Sequence, residues 1–357
     1  MIRVLVVDDS PLVRRIATDI LNKQVGISVV ATAPNAEIAV NKIPRFKPDV
    51  VTMDIEMPGM GGLAAIKQIM STEPIPIIVL SAFATRGAEM TMQALEYGAL
   101  DFIPKPTSSL SGGIDNIEKQ LVEKVRHASR IEVTRREHVE PEPVVERRVK
   151  AAPPRRNRSS AFEPYEVVAI GTSTGGPVAL RRVLQDLPAN MNAGIVVVQH
   201  MPPVFTKAFA ARLDSLCSLE VKEAVDGDAI LPGRVLIAPG NYHMVVSESS
   251  KHPSVSLHQW EPVSGHRPSV DVLMYSVARR YGSKAIAVIM TGMGKDGAEG
   301  IAELKRERGY VIAQDKPSSV IFGMNGEVIK NGDADDVLPL QSIADGIINL
   351  CMAPEYV

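Results

Sequence analysis

Cysteine is nearly missing from this chain: two residues in 357, Cys217 and Cys351, in unrelated surroundings. That excludes a disulfide framework and a cysteine metal site, and it suits a reducing cytoplasm. A charge of one sign is missing too. With a net charge of -2, nothing global favours nucleic-acid binding. No apolar stretch approaches the length of a membrane span. The apolar run in Met-Ile-Arg-Val-Leu-Val-Val-Asp-Asp is too short for a signal peptide and ends in acids. The expectation is a cytoplasmic protein with no membrane insertion. What remains is the composition of an ordinary soluble protein, 45% hydrophobic and 22% charged. Its length is about twice that of a typical domain, so two domains are expected.

In the first half, short apolar runs alternate with helical patterns. Val4–Val7, Ile27–Ala31, Val50–Met53, Ile75–Leu80 and Asp101–Ile103 read as strands. Segments near 12–23, 36–44, 62–71, 86–97 and 114–128 read as helices, the first with Ser10 as N-cap and Pro11 at its first position. Five strand–helix units imply a doubly wound parallel sheet, whose site lies at the carboxyl ends of the strands. There the sequence places Asp8, Asp9, Asp54, Ser81 and Lys105. Three crowded carboxylates repel unless a cation joins them, and all-oxygen ligands suit Mg²⁺. A lysine beside them can neutralise a phosphoryl group.

Val-Val-Asp8-Asp9-Ser10, Met53-Asp54-Ile55-Glu56-Met57-Pro58, Ser81-Ala82 and Lys105-Pro106 resemble the response-regulator receiver domain over residues 1–125. The resemblance implies that Asp54 is the phosphoacceptor. Asp9, Asp54 and the Glu56 backbone carbonyl would hold Mg²⁺, with Asp8 supporting the site. Ser81 would follow the phosphoryl group in the activated form, Lys105 would pair with it, and Phe102 occupies the place of the switching aromatic. The phosphodonor would be a histidine kinase.

From Arg130 to Ser160 come nine Lys/Arg, five Glu and four prolines without apolar period. Such a segment cannot bury enough surface to offset its ordering entropy, so residues 126–163 read as a linker. Strand–helix alternation resumes at 164–357. Strands are expected at Val167–Ile170, Ile195–Gln199, Val235–Ala238, Ala285–Met290 and Tyr310–Ala313, with β-rich text around Val245–Leu257. Helices are expected near 178–187, 204–217, 269–281, 297–308 and 339–350.

Gly171-Thr172-Ser173-Thr174-Gly175 fits the G-x-S-x-G elbow, in which small neighbours let a strand-to-helix turn close on an exposed hydroxyl. A serine nucleophile needs a base and an orienting carboxylate. His200 and Asp296 each follow a strand, but His243, His252, His258 and His266 compete for the first role, and Asp226, Asp228 and Asp271 for the second. Asp271, after Pro268-Ser269, looks like a first-turn acid. Asp296 could simply cap the helix after Gly297.

Gly171–Gly176, Gln199-His200-Met201-Pro202, Ile237–Gly240, His266–Asp271 and Thr291-Gly292-Met293-Gly294-Lys295-Asp296-Gly297 resemble the bacterial chemotaxis protein-glutamate methylesterase family, which carries a receiver at its N-terminus. The resemblance implies Ser173 as nucleophile, His200 as general base and acid, and Asp296 as orienting carboxylate, with Thr174 and Met293 shaping the oxyanion and substrate pocket. His243 and His266 become structural or pocket-lining. One departure is visible: the family's Val-Phe-Gly-Met-Pro is Ile321-Phe322-Gly323-Met324-Asn325-Gly326 here, and loss of that proline is expected to loosen a turn.

The implied activity is hydrolysis of glutamate γ-methyl esters on chemoreceptors and deamidation of receptor glutamines, without a cofactor for that step, by a chain expected to be monomeric. The unphosphorylated receiver would cover the Ser173 edge. The alternatives are a receiver fused to a phosphate-binding module using Gly171–Gly176, and a DNA-binding output. Against the first, the loop lacks both the Lys-Ser/Thr of a P-loop and G-x-G-x-x-G spacing. Against the second, there is no basic recognition helix.

Overall fold

The computed structural model describes residues 1–105, 113–131, 133, 165–247 and 253–352. Most of the expected linker, with Pro106 and His252, lies outside the described residues. The chain divides into two compact units, Met1–Glu146 and Arg147–Val357.

In the first unit, strands β1 (Ile2–Val7), β2 (Ile27–Ala33), β3 (Val50–Asp54), β4 (Ile77–Ser81) and β5 (Asp101–Pro104) alternate with helices α1 (Pro11–Asn22), α2 (Ala36–Phe46), α3 (Gly61–Thr72), α4 (Thr85–Glu96) and α5 (Gly113–Ala128). The strands pair in parallel in the order β2-β1-β3-β4-β5. β3 and β4 are buried along their whole length, as apolar strands covered on both faces must be. Ser10 caps α1, its hydroxyl accepting from Val13 N, and Pro11 costs nothing where an N–H would be unpaired anyway. Helix α1 packs with α5, and α3 with α2 and α4.

The second unit is another doubly wound sheet. Its strands are β6 (Val167–Thr172), β7 (Gly194–Gln199), β8 (Glu220–Glu223), β9 (Arg234–Ile237), β12 (Ala285–Ile289), β13 (Tyr310–Gln314) and β14 (Asp336–Leu338). They run parallel in the order β14-β13-β12-β6-β7-β9-β8. The β-rich text forms a separate antiparallel ribbon, β10 (His243–Val246) with β11 (Val255–His258). The helices are α6 (Gly176–Gln185), α7 (Phe205–Asp214), α8 (Val270–Tyr281), α9 (Ala298–Arg306), α10 (Met324–Asn331) and α11 (Leu340–Cys351). The core joins Val167, Ala169, Val196, Val198, Ala287 and Ile289 of the sheet to Leu273, Met274 and Val277 of α8 and Ile301 and Leu304 of α9. Each such buried Val, Leu, Ile or Met side chain contributes about 1.5–3 kcal/mol.

β8, β14 and α10 are additions to the sequence expectation. The two strands are short sheet edges, and α10 contains Asn325 and Gly326, poor helix formers. At the place of the missing proline a buried side chain makes the local contacts. Asn325 is fully buried, and its amide donates to Gln314 O and Ser319 Oγ, both at 2.8 Å, tying the start of α10 to the end of β13.

Chain order leaves β6 flanked by β7 on one side and β12 on the other, so connections diverge there. In open α/β sheets that divergence makes the crevice in which ligands bind.

Candidate active site

Three loops leave the sheet at one level at that crevice. Thr172, the last residue of β6, sits opposite Gln199, the last of β7, and Gly171 sits opposite Ile289, the last of β12. Backbone hydrogen bonds continue past the strand ends: His200 N donates to Thr172 O at 3.1 Å, and Ser173 N to Thr291 O at 3.0 Å. Ser173 is therefore held between the loop bearing His200 and the loop bearing Asp296. The Gln199 amide, which sequence reasoning missed, donates to both Ser173 O (2.9 Å) and His200 O (3.1 Å).

Glycines make this crowding possible. A Cβ on Gly176 would lie 2.1 Å from Gln199 Oε1 and 2.3 Å from Thr172 Oγ1, and one on Gly292 would lie 2.9 Å from Ser173 Cβ. Gly175, at φ 77°, closes the turn into α6 in a conformation that other residues rarely adopt.

His200 and Asp296 meet. His200 Nε2 lies 2.7 Å from Asp296 Oδ2, and His200 Nδ1 is buried without a hydrogen-bond partner. The carboxylate does not cap α9, whose N-cap is Gly297. It caps α8: Ser269 Oγ donates to Oδ1 at 2.8 Å, Val270 N to Oδ2 at 2.7 Å and Asp271 N to Oδ1 at 3.1 Å. Burial alone would raise the Asp296 carboxyl, but the hydrogen bond and charge of His200, with Val270 N–H and Ser269 hydroxyl, bring it well below the usual carboxylate range. A helix N-terminus adds to the same effect.

The competing histidines fall elsewhere. His243 is buried, its Nδ1 accepting from Ser269 N at 3.3 Å and its Nε2 facing Glu261 O at 3.1 Å, so it holds a neutral structural tautomer. Burial is the main cause of its lowered pKa. His266 stacks on His200, ring centroids 3.8 Å apart and planes 8° apart, and His258 stacks on Trp260. Asp226 accepts from Leu257 N in β11, and Asp228 from Lys222 Nζ and Val225 N in its own loop, so both are committed to structural contacts. Asp271 is an acid in the first turn of α8, as expected, but its N–H also donates to Asp296. Thr174 is buried, with its carbonyl accepting from Thr291 Oγ1 at 3.0 Å, and Met293 is half-buried two residues after Thr291. Burial pushes both cysteine thiols up to about 12, which removes them as nucleophiles at neutral pH. An open groove lined by Val245, His258, Trp260, Tyr275 and Arg279 contains neither Ser173, His200 nor Asp296.

In the first unit, Asp8, Asp9 and Asp54 offer carboxylate oxygens within 4.8 Å of one another. Lys105 Nζ bridges two of them, 2.8 Å from Asp8 Oδ2 and 2.7 Å from Asp54 Oδ2. Burial raises the Asp54 carboxyl, with Lys105 opposing. Glu56 N–H donates to Asp54 Oδ1 at 3.1 Å. This all-oxygen set fits a hard cation such as Mg²⁺. Ser81 is buried and faces α4, where its hydroxyl donates to Gly87 O at 3.0 Å and lies 2.7 Å from Thr91 Oγ1. Phe102 is buried, with Lys124 Nζ 5.7 Å above its ring and 2.8 Å from its carbonyl.

Residues 168–347 match the family described as CheB methylesterase, and residues 4–111 match the response regulator receiver domain. The protein-glutamate methylesterase/protein-glutamine glutaminase of Sulfurimonas denitrificans is 45% identical over 98% of both chains. The chain belongs to this family. Its counterpart from Pyrococcus abyssi is 41% identical over 97% of this chain and 93% of its own. A crystal structure of the Thermotoga maritima CheB methylesterase catalytic domain is 48% identical, with a TM-score of 0.51, covering 52% of this chain and 98% of that one. Family membership makes this chain a hydrolase with a receiver domain, and no described helix is long and apolar enough to cross a membrane.

Proposed function

We propose that the Arg147–Val357 unit hydrolyses γ-methyl esters of glutamate, and deamidates glutamines, on chemoreceptors through an acyl-enzyme on Ser173. The observation that carries this reading is the His200–Asp296 pair, which leaves Nδ1 unpaired on a histidine whose backbone N–H is bonded to Thr172 O, the residue before Ser173. A neutral ring donating Nε2–H to Asp296 has its lone pair on Nδ1. That nitrogen takes the Ser173 proton as Oγ attacks the ester carbonyl. The Ser173 and Gly292 N–H groups already donate to Thr291 O and Ile321 O, so Met293 N–H is the next donor in the loop for the oxyanion, with Thr174 beside it. Collapse breaks the ester C–O bond, and methanol leaves with the proton from His200. Water then gives a proton to Nδ1 and attacks the acyl carbon; collapse breaks the bond to Oγ, which takes that proton back as glutamate leaves. An amide follows the same path with ammonia leaving. His266 stacking fixes the plane of the His200 ring.

In the receiver, Asp54 accepts a phosphoryl group from the chemotaxis histidine kinase and thereby controls the esterase. Asp9, Asp54 and the Glu56 carbonyl would hold Mg²⁺, with Asp8 in support, and the cation would spread charge on the incoming phosphoryl oxygens. Lys105 pairs with the phosphorylated side chain, Ser81 turns from Gly87 towards it, and Phe102 follows. The reading places the enzyme in the cytoplasm, acting on membrane receptors without entering the bilayer. Methanol release from methylated chemoreceptor fragments tests the activity, and a chain that binds the fragment without releasing methanol refutes it.

A further inference from the structure

The carboxyl of Asp271 sits against that of Asp296 in a site with almost no access to water. Asp271 is 4% exposed and Asp296 1% exposed. Two carboxylates this close in a dry site cannot both stay ionised, so one of them holds a proton. The donors decide which. Asp296 collects hydrogens from His200 Nε2, Ser269 Oγ, Val270 N and Asp271 N, whereas a single N–H, that of Gly300 in α9, reaches Asp271, at 2.8 Å on Oδ1. That approach depends on the bare glycine, because a Cβ on Gly300 would lie 2.6 Å from Asp271 O.

Asp271 adjoins the Asp296 carboxylate, its own N–H donating to Asp296 Oδ1 at 3.1 Å and its side chain within interacting reach of the Asp296 side chain. A neutral carboxylic acid satisfies both contacts: one oxygen accepts from Gly300 and the other donates O–H to Asp296. We propose that Asp271 is a positioning residue of this esterase site, a neutral acid whose proton tethers the carboxylate that orients His200. The proposal rests on the esterase reading above.

Burial is the main reason that the Asp271 carboxyl is raised to about 7; the charges of Asp296 and of Glu299 on α9 add to it, and Gly300 N–H opposes it. Tyr275, one turn along α8, also faces Asp271, and its own pKa is raised, by burial first and by the charges of Glu299 and Asp271. His200 lies behind Asp296. When Asp271 loses its proton, a tether becomes a repulsion between carboxylates, and turnover falls on the alkaline side. Because these groups interact, the step belongs to the cluster.

Asparagine reproduces both contacts, its Oδ1 accepting and its amide donating, but does not titrate. Asp271→Asn should turn over within about threefold of wild type near pH 6 and should lack the wild-type decline above about pH 7. Asp271→Ala should lose at least about tenfold in kcat with KM little changed. An infrared titration of the unliganded protein reads the proton directly. Wild type should show a protonated carboxyl band that disappears near pH 7 and is missing in Asp271→Asn. The proposal is overturned by absence of that band, by an Asn variant as impaired as Ala, or by identical pH profiles for Asn and wild type. A wild type that has the band but releases no methanol refutes the esterase reading and leaves the acid–carboxylate pair standing.

Discussion

His200 gives Nε2 to Asp296 at 2.7 Å and keeps Nδ1 buried and unpaired. In the familiar serine-protease arrangement the carboxylate takes Nδ1 and the serine takes Nε2. Here the carboxylate takes Nε2 instead, and Asp296 lies at the N-terminus of α8. The chain order Ser, His, Asp also sets this site apart from α/β-hydrolases, which run Ser, Asp, His.

Asp296→Asn should lose about 10³–10⁴-fold in kcat with KM nearly unchanged, since an amide offers one acceptor oxygen where His200 Nε2 and Val270 N use Oδ2 and Ser269 Oγ and Asp271 N use Oδ1. Single-turnover and steady-state methanol release measure it. A pH effect on stability accompanies it. The folded-state pKa of Asp296 is depressed, so its stabilisation is present above the unfolded value of about 4 and is lost as pH falls below it. Acid titration of thermal unfolding should show that loss in wild type and a smaller one in the variant.

Asp54→Ala should abolish any increase in methanol release caused by a small phosphodonor with Mg²⁺, while leaving unstimulated release close to wild type. The comparison is a rate measured with and without phosphodonor. Equal stimulation in the variant would contradict control through Asp54.

Asn325→Ala should lower stability by about 1–3 kcal/mol, because it removes two buried hydrogen bonds and leaves Gln314 O without that donor. Denaturant unfolding of the separate Arg147–Val357 unit and of the full chain reads the difference. A neutral substitution would mean that the side chain does not anchor α10.

Much of the site was legible because strand ends are legible. Val196-Val197-Val198 announces a buried strand, so His200 had to emerge at the sheet edge, and the same logic placed Asp8, Asp54 and Ser173. Harder to see was anything set by contacts between distant loops. Asp296 was read as a possible cap of its own following helix, yet it caps α8, which lies earlier in the chain. Asp271 and Ser269 read as ordinary helix-start residues, which they are, and nothing local says that their other partner is Asp296. β8 is Glu-Val-Lys-Glu, three charged residues in four, with no apolar run to betray an edge strand. Asn325 looked like a loss because proline stiffens a turn through the backbone, whereas asparagine does so through its side chain.

The most direct test is methanol release from methylated chemoreceptor by wild type and Ser173→Ala, prepared together and checked for equal thermal stability. The account predicts release by wild type and loss of at least about a thousandfold in the variant. Release by the variant at the wild-type rate would contradict it.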